Sequence, residues 1–493
     1  MACMRRILLA ATVVFSTASV PGGALRVTGG ITDHQVLQRN GEGRAPIACW
    51  GKAQGVTGGG VEARVMRGQL PLAGLDWQNV GTISNGDWRA EIPAVPAGGP
   101  YRVDVRAAGE PEYSSVHDVL VGDLWVLAGQ SNMQGVGDLI DVEPPHALVH
   151  NFDMAHQWAT AEEPLHTLVS ARNPVHWPRN AKREPEKFDG ERLRKFLTER
   201  RKGSGLGLPF AARMVERTGV PIGLLACAHG GTSMDQWDPA LKEKGGESLY
   251  GSMLMRIREA GGKVTGVLWY QGESDANPKA APAFQEKFER FIAAVRGDTG
   301  DPNLPFYYVQ IGRHVNRSGE AEWNLVQDAQ RKVEAAIPRS AVVAAIDTDL
   351  DDSIHVSTPD LKRLGARLAN LACHDLFPHV AGCASYRRGP RPVAATVSGG
   401  TVRVTFAEVN GRLVSRGRVS GFSIHGADGA PLPLIYKARV DPGNPDAVLL
   451  SIGGKLAEGA VLRYGYGKDP YCNLRDEADM AAPVFGPLPI QAQ

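Results

Sequence analysis

The sequence has almost no net charge, because its 493 residues contain 54 lysines and arginines against 53 aspartates and glutamates. A protein that binds nucleic acid or an anionic membrane through its overall electric field carries a clear positive excess. The balance therefore argues against a nucleic-acid partner. It favours a substrate that is neutral or only locally charged.

Cysteine is scarce, and no two cysteines have the spacing of a metal-binding knuckle. We therefore predict no metal site and no cofactor. Cys373 and Cys383 are close enough in sequence to pair in an oxidising compartment, while Cys227 lies in an apolar run that predicts burial. The pairing among all the cysteines after the first stays open: Cys49, Cys227, Cys373, Cys383 and Cys472.

No apolar run of the sequence is long enough to span a membrane. The short apolar run at 7–15 follows Arg5 and Arg6 and precedes small residues, which is the order found in secretory signals. We expect residues 1–24 to be a signal peptide and the protein to be secreted or periplasmic. A buried N-terminal helix is the alternative.

Three patterns divide the remaining residues into predicted domains. Residues 25–120 contain short strands separated by turns rich in glycine and proline, which predicts a small domain resembling a β-sandwich. Residues 121–384 alternate apolar strands with helical segments. Residues 385–493 return to strand-like alternation, as in 401–406, and predict a C-terminal β domain.

The central region predicts an α/β fold. Its helical segments at 284–295 and 323–337 carry apolar residues at intervals of three and four, as amphipathic helices do. Fully apolar strands separated by helices indicate a parallel sheet of about five strands covered on both faces, with sites at the carboxyl ends of the strands. The predicted strands are 124–128, 222–226, 264–270, 306–311 and 341–346.

Residues 139–205 interrupt this alternation, and we interpret them as an insertion. The mixed charges of 182–202 predict a solvated helix. Because the insertion follows a candidate nucleophile, a role as a wall of the active site is the alternative.

The candidate nucleophile is Ser131, in the peptide Gly129-Gln130-Ser131-Asn132-Met133. This peptide follows the first predicted strand of the sheet, where a turn toward a helix would expose a hydroxyl group. A serine at such a turn is also a common helix cap. The assignment therefore depends on partner residues elsewhere in the chain.

The partners are in the peptide Asp352-Ser353-Ile354-His355, which follows the last predicted strand. An aspartate three residues before a histidine can accept a hydrogen bond from Nδ1 and hold the tautomer whose Nε2 faces the serine. An acidic loop could instead bind calcium. The neighbouring acids that raise this alternative are Asp347, Asp349 and Asp351.

Two more peptides follow the second and third predicted strands: His229-Gly230-Gly231-Thr232 and Trp269-Tyr270-Gln271-Gly272-Glu273. Glycines let a backbone N–H approach a substrate, and a glutamine amide is a neutral donor suited to an oxyanion. Trp237 and Trp269 could stack on a sugar, although core packing is favoured for both. Four such peptides at four strand ends predict an acyl-transfer site.

This ordered set of peptides resembles the SGNH hydrolase superfamily, specifically its sialate O-acetylesterase and acetylxylan esterase branch. The stretch from Asp33 to Arg39 is similar to the opening of such chains. The peptide Arg463-Tyr464-Gly465-Tyr466, with Cys472-Asn473-Leu474, is similar to their end. The resemblance implies a three-layer α/β/α hydrolase domain flanked by N- and C-terminal β domains.

The resemblance also implies roles for individual residues. Ser131 would be the nucleophile, His355 the general base and acid, and Asp352 the carboxylate that orients the histidine. The oxyanion hole would comprise the backbone N–H groups of Ser131 and Gly230 and the side chain of Gln271. Support of the site or contact with substrate is expected of Gln130, Asn132, Gly231 and Glu273, and for Glu273 bracing of its loop is favoured.

The predicted function is that of a secreted serine esterase that removes O-acetyl groups from carbohydrates through an acetyl-enzyme. Its expected partner is an O-acetylated glycan or sugar. An acetylxylan or other polysaccharide acetylesterase is the alternative within the same class. A non-catalytic carbohydrate-binding protein is the alternative from another class.

Overall fold

The computed structural model describes residues 25–182, 184–316 and 319–492, so the predicted signal peptide lies outside the described residues. These residues form two compact units. The first comprises 25–31, 46–93 and 102–116, and the second comprises 32–45, 94–101 and the chain from 117 onward. In the described part of the chain, no helix combines the length and apolarity that a membrane span requires.

The first unit consists of antiparallel strands. Gly58–Arg67 pairs with Gln78–Ser84 on one side and with Gly98–Ala107 on the other. Alternate residues of Gly58–Arg67 are buried, as the two-residue period of a strand with one solvated face requires. The strands of this part of the chain are Leu25–Gly29, Arg44–Ala53, Gly58–Arg67, Leu70–Pro71, Gln78–Ser84, Asp87–Pro96 and Gly98–Ala107.

The second unit contains the parallel sheet, and all five predicted strands are present in it. Each strand pairs in parallel with the next. The interior strands are buried along their length, which explains why apolar residues predominate in them. The three-layer arrangement of helices around the sheet stays a prediction. In sheet order the strands are Val149–Phe152, Ile222–Ala226, Ser114–Gly129, Gly266–Tyr270, Phe306–Gln310 and Ser340–Ala344.

One strand of this sheet differs from the sequence analysis, which treated 139–205 as an interruption. Val149–Phe152 pairs in parallel with Ile222–Ala226, and Trp158–Thr160 returns antiparallel to it. Val149–Phe152 has only four residues, and two of them, His150 and Asn151, are polar although buried. Polar residues inside a short strand remove the apolar run by which a buried strand is recognised.

The helices of the second unit agree with the sequence analysis where it made predictions. Phe284–Thr299 and Glu320–Ala336 cover the two amphipathic segments. Gly190–Glu199 has no buried residue, which confirms the solvated charged helix. The α-helices are Ser131–Gln134, Gly190–Glu199, Gly207–Thr218, Leu249–Glu259, Phe284–Thr299, Glu320–Ala336 and Thr358–Leu376, with short 3₁₀ turns at Leu168–Ser170, Pro174–His176, Pro239–Glu247, Glu273–Asp275 and Ala281–Ala283.

The C-terminal residues of the second unit form strands, as their alternating sequence predicts. Their hydrophobic cluster includes Val402, Val404 and Leu450, and it extends to Ala344 and Ile346 at the end of the parallel sheet. The strands are Arg391–Ser398, Thr401–Ala407, Leu413–Val414, Phe422–His425, Pro431–Leu432, Ile435–Asp441, Asn444–Ile452, Val461–Tyr464, Arg475–Asp476 and Phe485–Ala492. Earlier in the chain, the second unit also contains the short strands Val36–Gln38, Gly137–Asp138 and Lys202–Ser204.

Cys373 and Cys383 form a disulfide. Cys49, Cys227 and Cys472 are buried free thiols. Burial raises the pKa of Cys49 and of Cys472 to about 12, so both stay protonated at neutral pH. These thiols therefore behave as small apolar side chains rather than as nucleophiles.

Candidate active site

Ser131 lies at the carboxyl edge of the parallel sheet. It follows the strand Ser114–Gly129 and is the first residue of the short helix Ser131–Gln134. Gly129 has a φ of +132°, and a side chain there would collide with the carbonyl oxygen of Tyr270. The next N–H, of Gln130, donates to that same oxygen at 2.8 Å. The neighbouring strand thus fixes the turn that presents Ser131.

His355 and Asp352 form the predicted pair. The Nδ1 of His355 lies 2.7 Å from Asp352 Oδ2, and the N–H groups of Ile354 and His355 donate to Asp352 Oδ1 at 3.0 and 2.9 Å. Partial burial opposes ionisation of Asp352, but these hydrogen bonds outweigh it and lower the pKa of the carboxyl to about 2. The ionised carboxylate holds the proton on Nδ1, which leaves the Nε2 lone pair free to act as a base.

Ser131 and His355 line the same pocket, which has a volume of about 470 Å³. Gly230, Gly231 and Glu273 also line it. Among the described residues, no hydrogen bond joins the Ser131 hydroxyl to His355. A long or absent hydrogen bond between a nucleophile and its base is common before substrate binds, because catalytic hydrogen bonds shorten in the reacting complex.

Gly230 lies beside the nucleophile, since a Cβ built on it would come within 3.4 Å of the Ser131 Cβ. Its N–H does not point freely into the pocket, because it donates to Gln134 Oε1 at 2.8 Å. The sequence analysis missed Gln134. Its position three residues after Ser131, one helical turn away, was the signal that could have found it.

Gln271 does not reach the pocket, contrary to its predicted role as an oxyanion donor. Its side chain is fully buried. The Nε2 group donates to the carbonyl of Thr232 at 3.0 Å and to Asp275 Oδ2 at 2.5 Å. The carboxylate four residues later captures the amide, because a charged acceptor binds an N–H more strongly than a neutral one. Gln271 therefore joins two loops behind the site.

Asn132 links the pieces of the site. Its Nδ2 donates to Glu273 Oε1 at 2.8 Å, and its Oδ1 accepts the N–H of Val356 at 3.0 Å. Val356 directly follows His355, so one side chain connects the nucleophile helix to the histidine loop. Gln130 adds a similar contact, since its Oε1 accepts the N–H of Ser274 at 3.3 Å. Both residues thus have the supporting geometry that was predicted for them.

Residues 121–374 match the family model described as carbohydrate esterase, sialic acid-specific acetylesterase. The chain belongs to this carbohydrate esterase family. The match covers the parallel sheet and all four peptides that form or support the pocket.

Two curated relatives of this carbohydrate esterase agree with the family assignment. A probable carbohydrate esterase of Arabidopsis thaliana is 27% identical over 272 residues, which is 50% of this chain and 88% of the relative. The sialate O-acetylesterase of Homo sapiens is 24% identical over 367 residues, which is 66% of this chain and 66% of the human protein.

A solved structure extends the likeness beyond the central sheet. The crystal structure of a novel carbohydrate acetylesterase from Xanthomonas citri shares 26% identity with this esterase, at a TM-score of 0.62. The alignment covers 94% of this chain and 99% of that chain. The β parts at both ends of the esterase are therefore included in the similarity.

Two alternatives that the sequence left open, sugar stacking by two tryptophans and calcium binding by the acidic loop, are not supported by the structure of this esterase. Trp237 and Trp269 are fully buried and pack edge to face, with ring centroids 5.3 Å apart, so they belong to the core. Among the described residues, the carboxylates of the acidic loop do not form a group that could hold a metal ion. Asp347 pairs with Arg367 at 2.7 Å, and Asp351 accepts the N–H groups of Asp138 and Thr358.

Glu273 braces the esterase pocket through Asn132, and its other oxygen, Oε2, is buried and has no hydrogen-bond partner in the described ranges of the chain. Burial raises the pKa of Glu273. The geometry matches the predicted bracing role, which needs an acceptor for Asn132 and does not need a charge.

We expect Glu273→Gln to keep the activity of the esterase within a few-fold, because the amide oxygen can still accept from Asn132. Glu273→Ala removes that acceptor and should cost about 1–3 kcal/mol, roughly five- to 150-fold in kcat/KM. Hydrolysis of a chromogenic acetate by the two variants measures both effects. Equal losses in the two variants would show that the charge, rather than the brace, matters.

Proposed function

We propose that this family member is a carbohydrate O-acetylesterase that works through an acetyl-enzyme on Ser131. The observation that carries the proposal is the shared pocket of Ser131 and His355, with His355 Nδ1 held 2.7 Å from Asp352. The family assignment supports ester hydrolysis on a carbohydrate. So does the likeness to the Xanthomonas citri carbohydrate acetylesterase.

In the proposed first step, Ser131 Oγ attacks the acetyl carbonyl carbon while His355 Nε2 takes the hydroxyl proton. The tetrahedral intermediate collapses when the imidazolium returns that proton to the departing sugar oxygen, which leaves acetate esterified to Ser131. Water then attacks with the same histidine as base, and acetate and the free serine are regenerated. Asp352 stabilises the imidazolium in both halves of the reaction.

The oxyanion of each tetrahedral intermediate needs donors close to Ser131. The N–H groups of Ser131 and Gly230 are the proposed donors. Gly230 becomes available when the Gln134 side chain turns away, because Gln134 Oε1 accepts that N–H at 2.8 Å in the present structure. An approaching anionic oxygen is a stronger acceptor than a neutral amide oxygen, so the exchange is favourable.

The acetylated sugar is proposed to be an O-acetylated sialic acid, as the family description and the human relative suggest. Acetylated xylan or pectin is the alternative substrate. We expect a panel of O-acetylated sialic acids, xylans and pectins to give the highest kcat/KM for acetate release on a sialic acid. A preference for a polysaccharide would change the proposed substrate but not the proposed reaction. Binding of the sugars without acetate release would contradict the proposed esterase activity itself.

Secretion or export to the periplasm is also part of the proposal, on the strength of residues 1–24. N-terminal sequencing of protein recovered from the medium or periplasm tests it. A mature chain that begins near residue 25 is the expected result. An uncleaved chain retained inside the cell would contradict it.

A further inference from the structure

A second cluster of reactive side chains lies apart from the pocket. It consists of His34, Asp118 and His150, each of which contributes one potential metal-ligand atom, and the three atoms lie within 4.8 Å of one another. Asp118 Oδ2 is central, at 2.6 Å from His34 Nδ1 and 3.4 Å from His150 Nε2. Two imidazole nitrogens and a carboxylate oxygen thus lie close enough together to hold one metal ion.

The cluster lies at the amino ends of the parallel strands. His150 is the second residue of Val149–Phe152, and Asp118 precedes the part of its strand that pairs in parallel with Ile222–Ala226. Ser131 lies beyond the opposite end of the same strand. Gly129 is eleven positions after Asp118, which is roughly 35 Å of extended chain. The cluster is therefore outside the esterase pocket.

His150 carries the main evidence for a ligand. Its side chain is fully buried, and its Nε2 has no hydrogen-bond partner among the described residues. Its Nδ1 lies 2.6 Å from the carbonyl oxygen of His34. A carbonyl only accepts, so Nδ1 must carry the proton and Nε2 must present a lone pair to the cluster. This arrangement, with one ring nitrogen held by a carbonyl and the other left free, is typical of histidines that bind metals.

The backbone around the other two residues is held in an uncommon conformation. His34 and Asp118 have φ values of +61° and +56°, a region that residues other than glycine rarely adopt. Two hydrogen bonds join the segments: His34 N–H donates to the His117 carbonyl at 3.1 Å, and His117 N–H donates to Asp33 Oδ1 at 2.7 Å. Such strain persists only where the surrounding contacts enforce it. Here it turns both side chains toward His150.

We propose that His34, Asp118 and His150 bind a structural Zn²⁺ ion. Imidazole and carboxylate ligands suit zinc, and three protein ligands leave a fourth position of a tetrahedral site for water. His34 and Asp118 are partly exposed, at 42% and 30% of their side chains, so the ion can enter from solvent. Zinc would take the place of the proton that His34 Nδ1 shares with Asp118, and that proton is released to solvent.

The ion would join three segments that are distant in sequence: the loop around His34, the start of the strand Ser114–Gly129, and the short strand that carries His150. Binding to the folded state alone raises the unfolding temperature by mass action. At a zinc concentration about a hundred times the dissociation constant, we expect Tm to rise by about 3 °C or more. The role is structural, so the metal-free enzyme should keep its turnover.

The test uses tag-free mature protein treated with a chelator and then dialysed. Zinc is added back, and its stoichiometry is measured by competition with a chromogenic chelator and by elemental analysis. We expect one ion per chain. His34→Gln and Asp118→Asn each remove a ligand without opening a cavity and should weaken binding about a hundredfold or more. Far-UV circular dichroism confirms that both variants are folded.

His117→Gln is the matched control, because His117 is an exposed histidine next to Asp118 and lies outside the cluster. It should bind zinc like the unmodified protein. Substituted Co²⁺ should give the intense visible absorption of a four-coordinate site in the unmodified protein and in His117→Gln. It should not do so in the two ligand variants.

Two results would overturn the proposal. One is the absence of stoichiometric zinc in the unmodified protein, and the other is zinc binding by His34→Gln and Asp118→Asn that is as tight as in the unmodified protein. A folded metal-free enzyme that had lost ester hydrolysis would refute the purely structural role. The esterase proposal is tested separately at Ser131. A negative zinc result therefore leaves it unaffected, and a failure of the esterase proposal does not alter the zinc measurement.

Discussion

Ser131→Ala is expected to lower kcat for acetate ester hydrolysis by about a hundred-thousandfold or more. Without the hydroxyl no acetyl-enzyme can form. His355 and the nearby N–H groups could then only assist a direct attack by water. The measurement is the hydrolysis of a chromogenic acetate at saturating substrate, together with mass spectrometry of quenched enzyme. The unmodified enzyme should show an acetyl adduct on the peptide that contains Ser131, and the variant should show none.

Ser353→Ala is the control for this experiment. Ser353 is an exposed serine inside the histidine loop, between Asp352 and Ile354, and it does not line the pocket. It should retain nearly full turnover. A Ser131→Ala enzyme with more than a hundredth of normal activity would show that another group is the nucleophile.

The parallel sheet could be predicted because its strands are buried on both faces. Burial on both faces favours apolar residues along the whole strand, and 222–226 and 266–270 show this directly in the sequence. Val149–Phe152 occupies an equally buried place in the sheet, yet it escaped prediction. One nitrogen of each polar side chain makes a tertiary hydrogen bond that local sequence does not display: His150 Nδ1 to the carbonyl of His34, and Asn151 Nδ2 to the carbonyl of Leu165.

In the site, too, contacts that depend on neighbouring residues could be predicted from the sequence, and contacts that depend on the tertiary fold could not. Asp352 and His355 are three residues apart, so their contact is set by one turn of the chain. The direction of the Gln271 amide depends on Asp275 and on the Thr232 carbonyl from another loop. That competition between acceptors is decided only by the folded arrangement.

The proposed zinc ligands show most clearly which kind of site cannot be predicted from the sequence. His34 is 84 residues from Asp118 and 116 residues from His150. Metal motifs are recognised in a sequence by short, fixed spacings between ligands. Ligands on three separate segments have no such spacing, and the prediction that the chain has no metal site depended on cysteine spacing alone.

Asp352→Asn is expected to lower kcat by about ten-thousandfold while the loop keeps its fold. The asparagine oxygen can still accept the N–H groups of Ile354 and His355, as Asp352 Oδ1 does at 3.0 and 2.9 Å. The new NH₂ group, however, can only donate to His355 Nδ1. That nitrogen must then be the acceptor, which moves the ring proton to Nε2, where it faces Ser131 and blocks proton transfer.

Asp349→Asn is the matched control for Asp352→Asn, since Asp349 belongs to the same acidic loop and its side chain is 92% exposed. It should leave kcat near that of the unmodified enzyme. The pKa of about 2 places Asp352 in its ionised form throughout assays from pH 5 to 8. The carboxylate is therefore not protonated at any pH in that range. A large loss of turnover in Asp352→Asn must come from the substitution itself. If Asp352→Asn kept a tenth of normal turnover, His355 would not depend on Asp352 for its tautomer, and the base would have to be oriented by another group.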